Sequence, residues 1–202
     1  MTLDKAILAT LAYHDIFDYP LSVEEIHKFL ISQSTTHQSV ARALRELLDV
    51  KKINQHRGHY FLKGRRSKVS TRKSRGNYSR AKFTKAQFFA SILKMVPTVK
   101  LVAISGALAM QNSQKDDDID FVIVSAKGSI WTTRFLANLA LLPFKRDPQG
   151  EKVTNRACLN LFLDEGSLKI KDQNLYIAHE ICQMKLLWDR DNTYQKFIEA
   201  NG

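Results

Sequence analysis

Ser105-Gly106-Ala107, followed eleven residues on by Asp118-Ile119-Asp120, is the stretch on which the reading of this chain turns. Val99 to Ser105 is an apolar run of strand length that ends on small residues, which predicts a strand feeding a glycine turn and a short helix. A polar loop follows, and Ile119 to Val124 predicts a second strand. Residues i and i+2 of a strand share a face, so Asp118 and Asp120 are expected to project together beside the Gly106 turn. Paired carboxylates are hard oxygen donors that suit Mg²⁺, and a glycine turn opening a helix can accept a phosphate. Together they describe a place for a nucleoside triphosphate. The plainer reading of Asp116 to Asp120 is a solvated acidic turn before a buried strand, but it leaves the glycine turn at this spacing without a reason.

The chain has 202 residues, enough for a buried core and one or two domains. Its longest apolar run, Phe135 to Phe144, contains Asn138 and is half the length a membrane span needs, so no membrane partner is expected. Met1 to Lys5 opens without a signal-peptide hydrophobic region. Cys158 and Cys182 lack metal-ligand spacing and read as reduced thiols, so a cytoplasmic location is the expectation. The net charge of +11 is uneven: ten Lys/Arg and no acid lie between Lys63 and Lys85, and the rest is nearly neutral. Such a block attracts polyanions through counterion release, although its Ser, Thr and Gly also suit a solvated linker.

Residues 1–62 read as a winged-helix-like domain. Leu3, Ile7, Leu8 and Leu11 mark one helix face; Ser22 and Glu25 form a capping-box pattern before a second helix; Val40, Leu44, Leu47 and Leu48 mark a third. Ile53 to His56 and His59 to Leu62 flank Arg57-Gly58, a two-residue hairpin signal. In a helix-turn-helix the recognition helix presents its first polar residues to the major groove, here Gln38 and Arg42 beside His37 and Ser39, with Arg57 at the wing. The same pattern also serves protein docking. Residues 63–78 read as a basic linker, so residues 37–85 are the stretch that could meet nucleic acid. Residues 79–202 read as an α+β domain: a helix from about Ser79 to Met95, the two strands above, a helix from about Ser129 to Leu142, a Pro/Gly-bearing loop over 143–155, a strand from Ala157 to Leu163, and a helix from about Gln173 to Leu187.

Over roughly residues 97 to 165 this domain resembles the polymerase-β-like nucleotidyltransferase superfamily, through Gly106, Asp118 and Asp120 and the surrounding Leu101-Val-Ala-Ile-Ser-Gly-Ala and Asp118-Ile-Asp-Phe-Val-Ile-Val. The resemblance implies a mixed sheet with flanking helices and a two-ion Mg²⁺ site at Asp118 and Asp120. It also implies a phosphate cradle at Ser105, Gly106 and Ala107, and transfer of a nucleoside monophosphate from an NTP to a hydroxyl acceptor. A third carboxylate is implied on the later strand, where this chain has Asn160. Asn160 can coordinate through its carbonyl but brings no charge, and Ala107 has no hydroxyl. Asp164, at the strand end, would reach the site only if the strand bends. A second expectation is therefore a DNA-binding winged-helix regulator whose nucleotidyltransferase-like domain senses a nucleotide without turning it over.

Weaker signals remain. His179-Glu180 begins a His-Glu-x-x-His pattern that Gln183 breaks, so zinc is not expected there. Lys127-Gly128-Ser129, Arg134, Lys152 and Arg156 are candidate phosphate or base contacts and equally ordinary surface charges.

Overall fold

The computed structural model describes residues 1–147 and 149–202, so Pro148 of the expected 143–155 loop lies outside the described residues. The described residues form an α+β protein with eight α-helices, a two-stranded sheet and a four-stranded mixed sheet. The chain divides into two compact units, Met1–Ser74 and Arg75–Gly202.

The first unit runs α1 (Leu3–Asp15), α2 (Val23–Lys28), α3 (His37–Asp49), β1 (Ile53–His56) and β2 (His59–Leu62). The capping box at α2 is complete: Glu25 N–H donates to Ser22 Oγ at 3.3 Å, and Ser22 N–H to Glu25 Oε2 at 2.8 Å. Thr36 caps α3 by accepting from Ser39 N–H. Ile7 and Leu11 of α1, Ile26 of α2, and Val40, Leu44 and Leu47 of α3 are buried, with Phe61 of β2. The hairpin turn is Arg57-Gly58, with φ of 50° and 78°, and His56 pairs with His59. Two positive φ values match the right-handed twist of a two-residue hairpin. Leu21 adds a bridge to Tyr60 on the outer side of β2.

The expectation of a linker over 63–78 changes here. α4 spans Lys68–Leu93, starting eleven residues before Ser79. Basic residues are good helix formers, and three of them have fixed partners within the first unit. Arg65 pairs with Asp15 at 2.9 Å, and Lys68 pairs with Asp18. Arg72 grips both oxygens of Glu25 at 2.7 and 2.8 Å, donates to the Pro20 carbonyl, and lies 4.1 Å from the Tyr19 ring centre. The cationic block is thus partly spent on the protein's own acids.

Glu25 makes a testable site. Burial pushes its carboxyl up, but Arg72, the Ser22 N–H and the Tyr19 hydroxyl outweigh burial and hold it below its usual value of 4.5. A carboxylate with a depressed folded pKa contributes stability that is present above its unfolded value and is lost as pH falls through the folded one. Glu25→Gln is expected to cost about 1–3 kcal/mol at neutral pH. In thermal melts the variant should then lose less stability than wild type when acidified below that value of 4.5.

The second unit is built on a sheet of order β5-β4-β3-β6. Its strands are β3 (Val99–Ile104), β4 (Ile119–Ser125), β5 (Ala157–Asp164) and β6 (Lys185–Asp189). β4 and β5 are parallel; β3 is antiparallel to β4 and β6. Alternation divides the strands between two cores. Val102, Ile104, Phe121 and Ile123 pack with Phe89 and Leu93 of α4 and with Ala137 of α6 (Ile130–Ala140). Leu101, Ala103, Val122 and Val124 pack with Met184, beside α7 (Leu175–Gln183), and with Phe197 of α8 (Thr193–Asn201). The expected helix to Leu187 instead stops at Gln183, and the chain turns at Met184 into β6. The remaining helix, α5, is the short Gly106–Ala109 turn after β3.

Candidate functional site

The two halves of the decisive stretch meet. β3 ends at Ile104, and Ser105 N–H donates to the Asp120 carbonyl at 3.1 Å, so the turn is fastened to β4 at the aspartates. Gly106 has φ +62°, and a Cβ built on it would lie 3.0 Å from Asp120 Oδ2. Both facts demand glycine: the left-handed backbone penalises a side chain, and the aspartate carboxylate occupies the space it would fill. Ser105 is buried at the N-cap of α5 and makes no side-chain capping bond. Ala107 is exposed, and its carbonyl accepts from Asn112 N–H at 2.8 Å.

Asp118 and Asp120 fall on the α7 side of the sheet, in step with Val122 and Val124. Their third neighbour is not the expected one. In the parallel register Asp120 is opposite Cys158, and a carboxylate oxygen of each aspartate and the Cys158 sulfur all lie within 4.8 Å of one another. Asn160 is the extra residue of a bulge: Phe121 pairs with Leu159 and Val122 with Leu161, leaving Asn160 exposed and without a register partner. Asp164 does not reach the site either. It pairs with Ser125, five residues along β4 from Asp120, about 16 Å away. Its carboxylate accepts from Gly128 and Gly166 N–H at 2.7 and 2.8 Å.

The charge missing from β5 arrives from α7. Glu180 Oε2 accepts the Gly106 N–H at 3.0 Å, and its other oxygen accepts from the buried Gln183 amide. Glu180 and Asp120 therefore both lie against Gly106, one on its nitrogen and one beside its α-carbon. Burial, then Asp118, pushes the Asp120 carboxyl up; burial, with Asp120, raises Glu180 against the pull of the Gly106 N–H. Cys158 is pushed up to about 12 by burial and the two aspartates. Tyr176, one turn before Glu180, is raised by the Glu180 charge first and then by burial. These shifts describe a negative, half-buried cluster. The cation already there is Arg146, which donates to Asp118 Oδ2 at 2.8 Å. In the sequence Glu180 stands out only within the broken His-Glu-x-x-His pattern; its place at Gly106 is not legible there, because 74 residues separate it from the glycine it holds.

The loop that delivers Asp118 is pinned from α4. Lys82 is buried, and its ammonium donates to the Lys115 and Asp117 carbonyls at 3.1 and 2.5 Å. Ser79 Oγ accepts from Ser113 N–H at 3.0 Å, both residues being buried. Asp117 folds the loop on itself by accepting from Gln114 N–H at 2.6 Å.

The remaining candidates lie elsewhere in this unit. Lys127 and Gly128 follow β4 at the Asp164 end. Arg134 stacks 5.6 Å from the Phe162 ring centre, and Arg156 donates to the Pro143 carbonyl at 2.6 Å. Lys152 is exposed, its carbonyl accepting from Asp147 N–H.

In the first unit Gln38, Arg42 and Arg57 are all exposed. Gln38 and Arg42 stand on the first turns of α3, and Arg57 is at the hairpin tip. Arg42 pairs with Glu46 one turn on at 3.1 Å, an exposed i,i+4 contact that holds it weakly. Among the described residues no helix is long and apolar enough to cross a membrane.

No protein-family model, curated protein or solved structure matches the chain.

Proposed function

We propose that the second unit is a polymerase-β-like nucleotidyltransferase, moving a nucleoside monophosphate from an NTP to a hydroxyl acceptor. The observation that carries this reading is the single place formed by Gly106 and Asp120, where a left-handed turn and a carboxylate pair meet with no room for a Cβ. The donor chemistry of Asp118 and Asp120 fits one hard divalent cation such as Mg²⁺, whereas the Cys158 thiol is not a donor Mg²⁺ selects. Asp118 and Asp120 would hold that ion, which supplies charge neutralisation on the triphosphate and on the transferred group. Asn160, exposed at its bulge, is not needed for this role.

The chain's own residues account for the rest. The Gly106 N–H, taken here by Glu180, is the donor that a phosphate oxygen would have to win from that carboxylate. Arg146, which pairs with Asp118, would be the cation available to an incoming polyanion were Asp118 to hold a metal. The test is transfer from each α-³²P-labelled NTP to hydroxyl-bearing acceptors by wild type and by Asp118→Ala with Asp120→Ala. Labelling by the wild type alone supports the reading; equal labelling by both contradicts it.

A second reading has its own support. Cys158 in place of a β5 carboxylate, and Glu180 seated on the phosphate donor, suit a domain that senses a nucleotide. The order α1-α2-α3-β1-β2, with the Leu21 bridge beside the hairpin, fits a winged helix that presents Gln38, Arg42 and Arg57 to DNA. Duplex binding is then expected to weaken steeply with salt, and Gln38→Ala with Arg42→Ala to weaken it about tenfold or more in an electrophoretic titration. Binding indifferent to salt and to both changes would leave protein docking as the role of this unit.

A further inference from the structure

The second unit carries an apolar face that neither the nucleotide site nor the fold uses. On α6 and just beyond it, Trp131, Phe135, Leu139 and Leu142 recur at spacings of four, four and three, and they are 78%, 68%, 58% and 68% exposed. Their partners from the α4 side are Phe88 and Met95, 52% and 77% exposed. The two sets form one patch. Met95 and Leu139 line the same shallow apolar groove, and the Phe88 ring stands perpendicular to Phe144, two residues after Leu142, at 5.5 Å.

Applied to side chains of this size, those exposures leave roughly 700 Å² of apolar surface in water. That exceeds the ~300–600 Å² of the largest patch on an ordinary monomer. It comes close to the ~800 Å² per partner of a standard stable interface. A stripe with this spacing is the seam one helix offers another.

We infer that this face is a homodimer interface, in which α6 packs against α6 of a second copy across a two-fold axis. The chemistry favours a second copy over a different partner. Arg134, the sole charged residue of α6, is turned onto Phe162, and Asn138 bonds the Arg134 carbonyl and Lys145. The stripe therefore offers no charge pattern to select an acidic or basic partner, while a uniform apolar ridge is complementary to itself under two-fold symmetry. A membrane-surface helix would carry several cations on its polar face, and α6 has one.

Sedimentation equilibrium of the chain over about a hundredfold range of concentration reads this directly. Wild type is expected to dimerise, with the emission of Trp131 shifting to the blue as the dimer forms. Phe135→Glu with Leu139→Lys is expected to weaken self-association about 100-fold or more with unchanged circular dichroism. The milder Leu139→Ser should weaken it less, and gives the same ordering if the charged variant misfolds. A chain that stays monomeric throughout, a dimer indifferent to these changes, or a monomer that instead co-sediments with phospholipid vesicles would each overturn the inference.

Discussion

Gly106→Val is expected to weaken metal-dependent nucleotide binding and to destabilise the second unit. At φ +62° a β-branched side chain is strained by about 1–2 kcal/mol or more. Its Cβ also meets Asp120 Oδ2 at 3.0 Å, so the carboxylate must give way by a few tenths of an ångström beside Asp118. A displacement of that order is expected to weaken binding of an NTP with Mg²⁺ about tenfold. A double-mutant cycle separates the two causes. Gly106→Ala should cost less stability in an Asp120→Ala background, with a coupling of about 1 kcal/mol, because only the contact is relieved there and the backbone strain remains. Additive costs in thermal melts would show that the glycine and the aspartate do not share this space.

The second large effect is expected from Lys82→Met. Lys82 is 1% exposed, and its ammonium holds the Lys115 and Asp117 carbonyls just before Asp118. Burial lowers its pKa, with Asp117 opposing, so the charge is kept at some cost for the bonds it makes. Methionine preserves the volume but takes the ammonium from the Lys115 carbonyl and leaves the Asp117 carbonyl with the Asn155 N–H alone. The expected loss is about 1–3 kcal/mol, read as a Tm roughly 5 °C lower. Because the same loop delivers Asp118, affinity for a divalent cation should fall in parallel. A variant as stable as wild type would mean the loop is held by Ser79 and Asp117 without the lysine.

Much of this architecture is legible in the sequence where one local rule decides the outcome. Ser22 and Glu25 specify a cap, Arg57-Gly58 a two-residue turn, and Gly106 with Asp118 and Asp120 a turn beside a strand. The features that escape such reading depend on distant partners. α4 begins at Lys68 rather than near Ser79 because its inward face is partly polar, with Arg72, Ser79 and Lys82 where an apolar stripe would be sought. β6 follows α7 with no glycine or proline to announce the change. Cys158 rather than Asn160 lies opposite Asp120 because of how β5 registers on β4, and the bulge at Asn160 comes after that pair; no local pattern encodes either. Glu180 has no meaning until α7 is laid on the sheet.

The electrostatics of the cluster follow from the same assembly. Asp118, Asp120 and Glu180 converge on one turn, and burial with mutual repulsion raises the last two. Such a cluster is costly without a cation; Arg146 pairs with Asp118, and its pull on Asp120 is outweighed by burial and the Asp118 charge. A divalent ion, if bound, would relieve what the protein's own cations leave.

Calorimetric titration of each of the four NTPs, with and without Mg²⁺, into wild type and into Asp118→Ala with Asp120→Ala bears most directly on the central claim. The account predicts saturable binding of at least one NTP that requires both the ion and the two aspartates. Equal heats from wild type and the double variant, or binding that does not need a divalent ion, would contradict it.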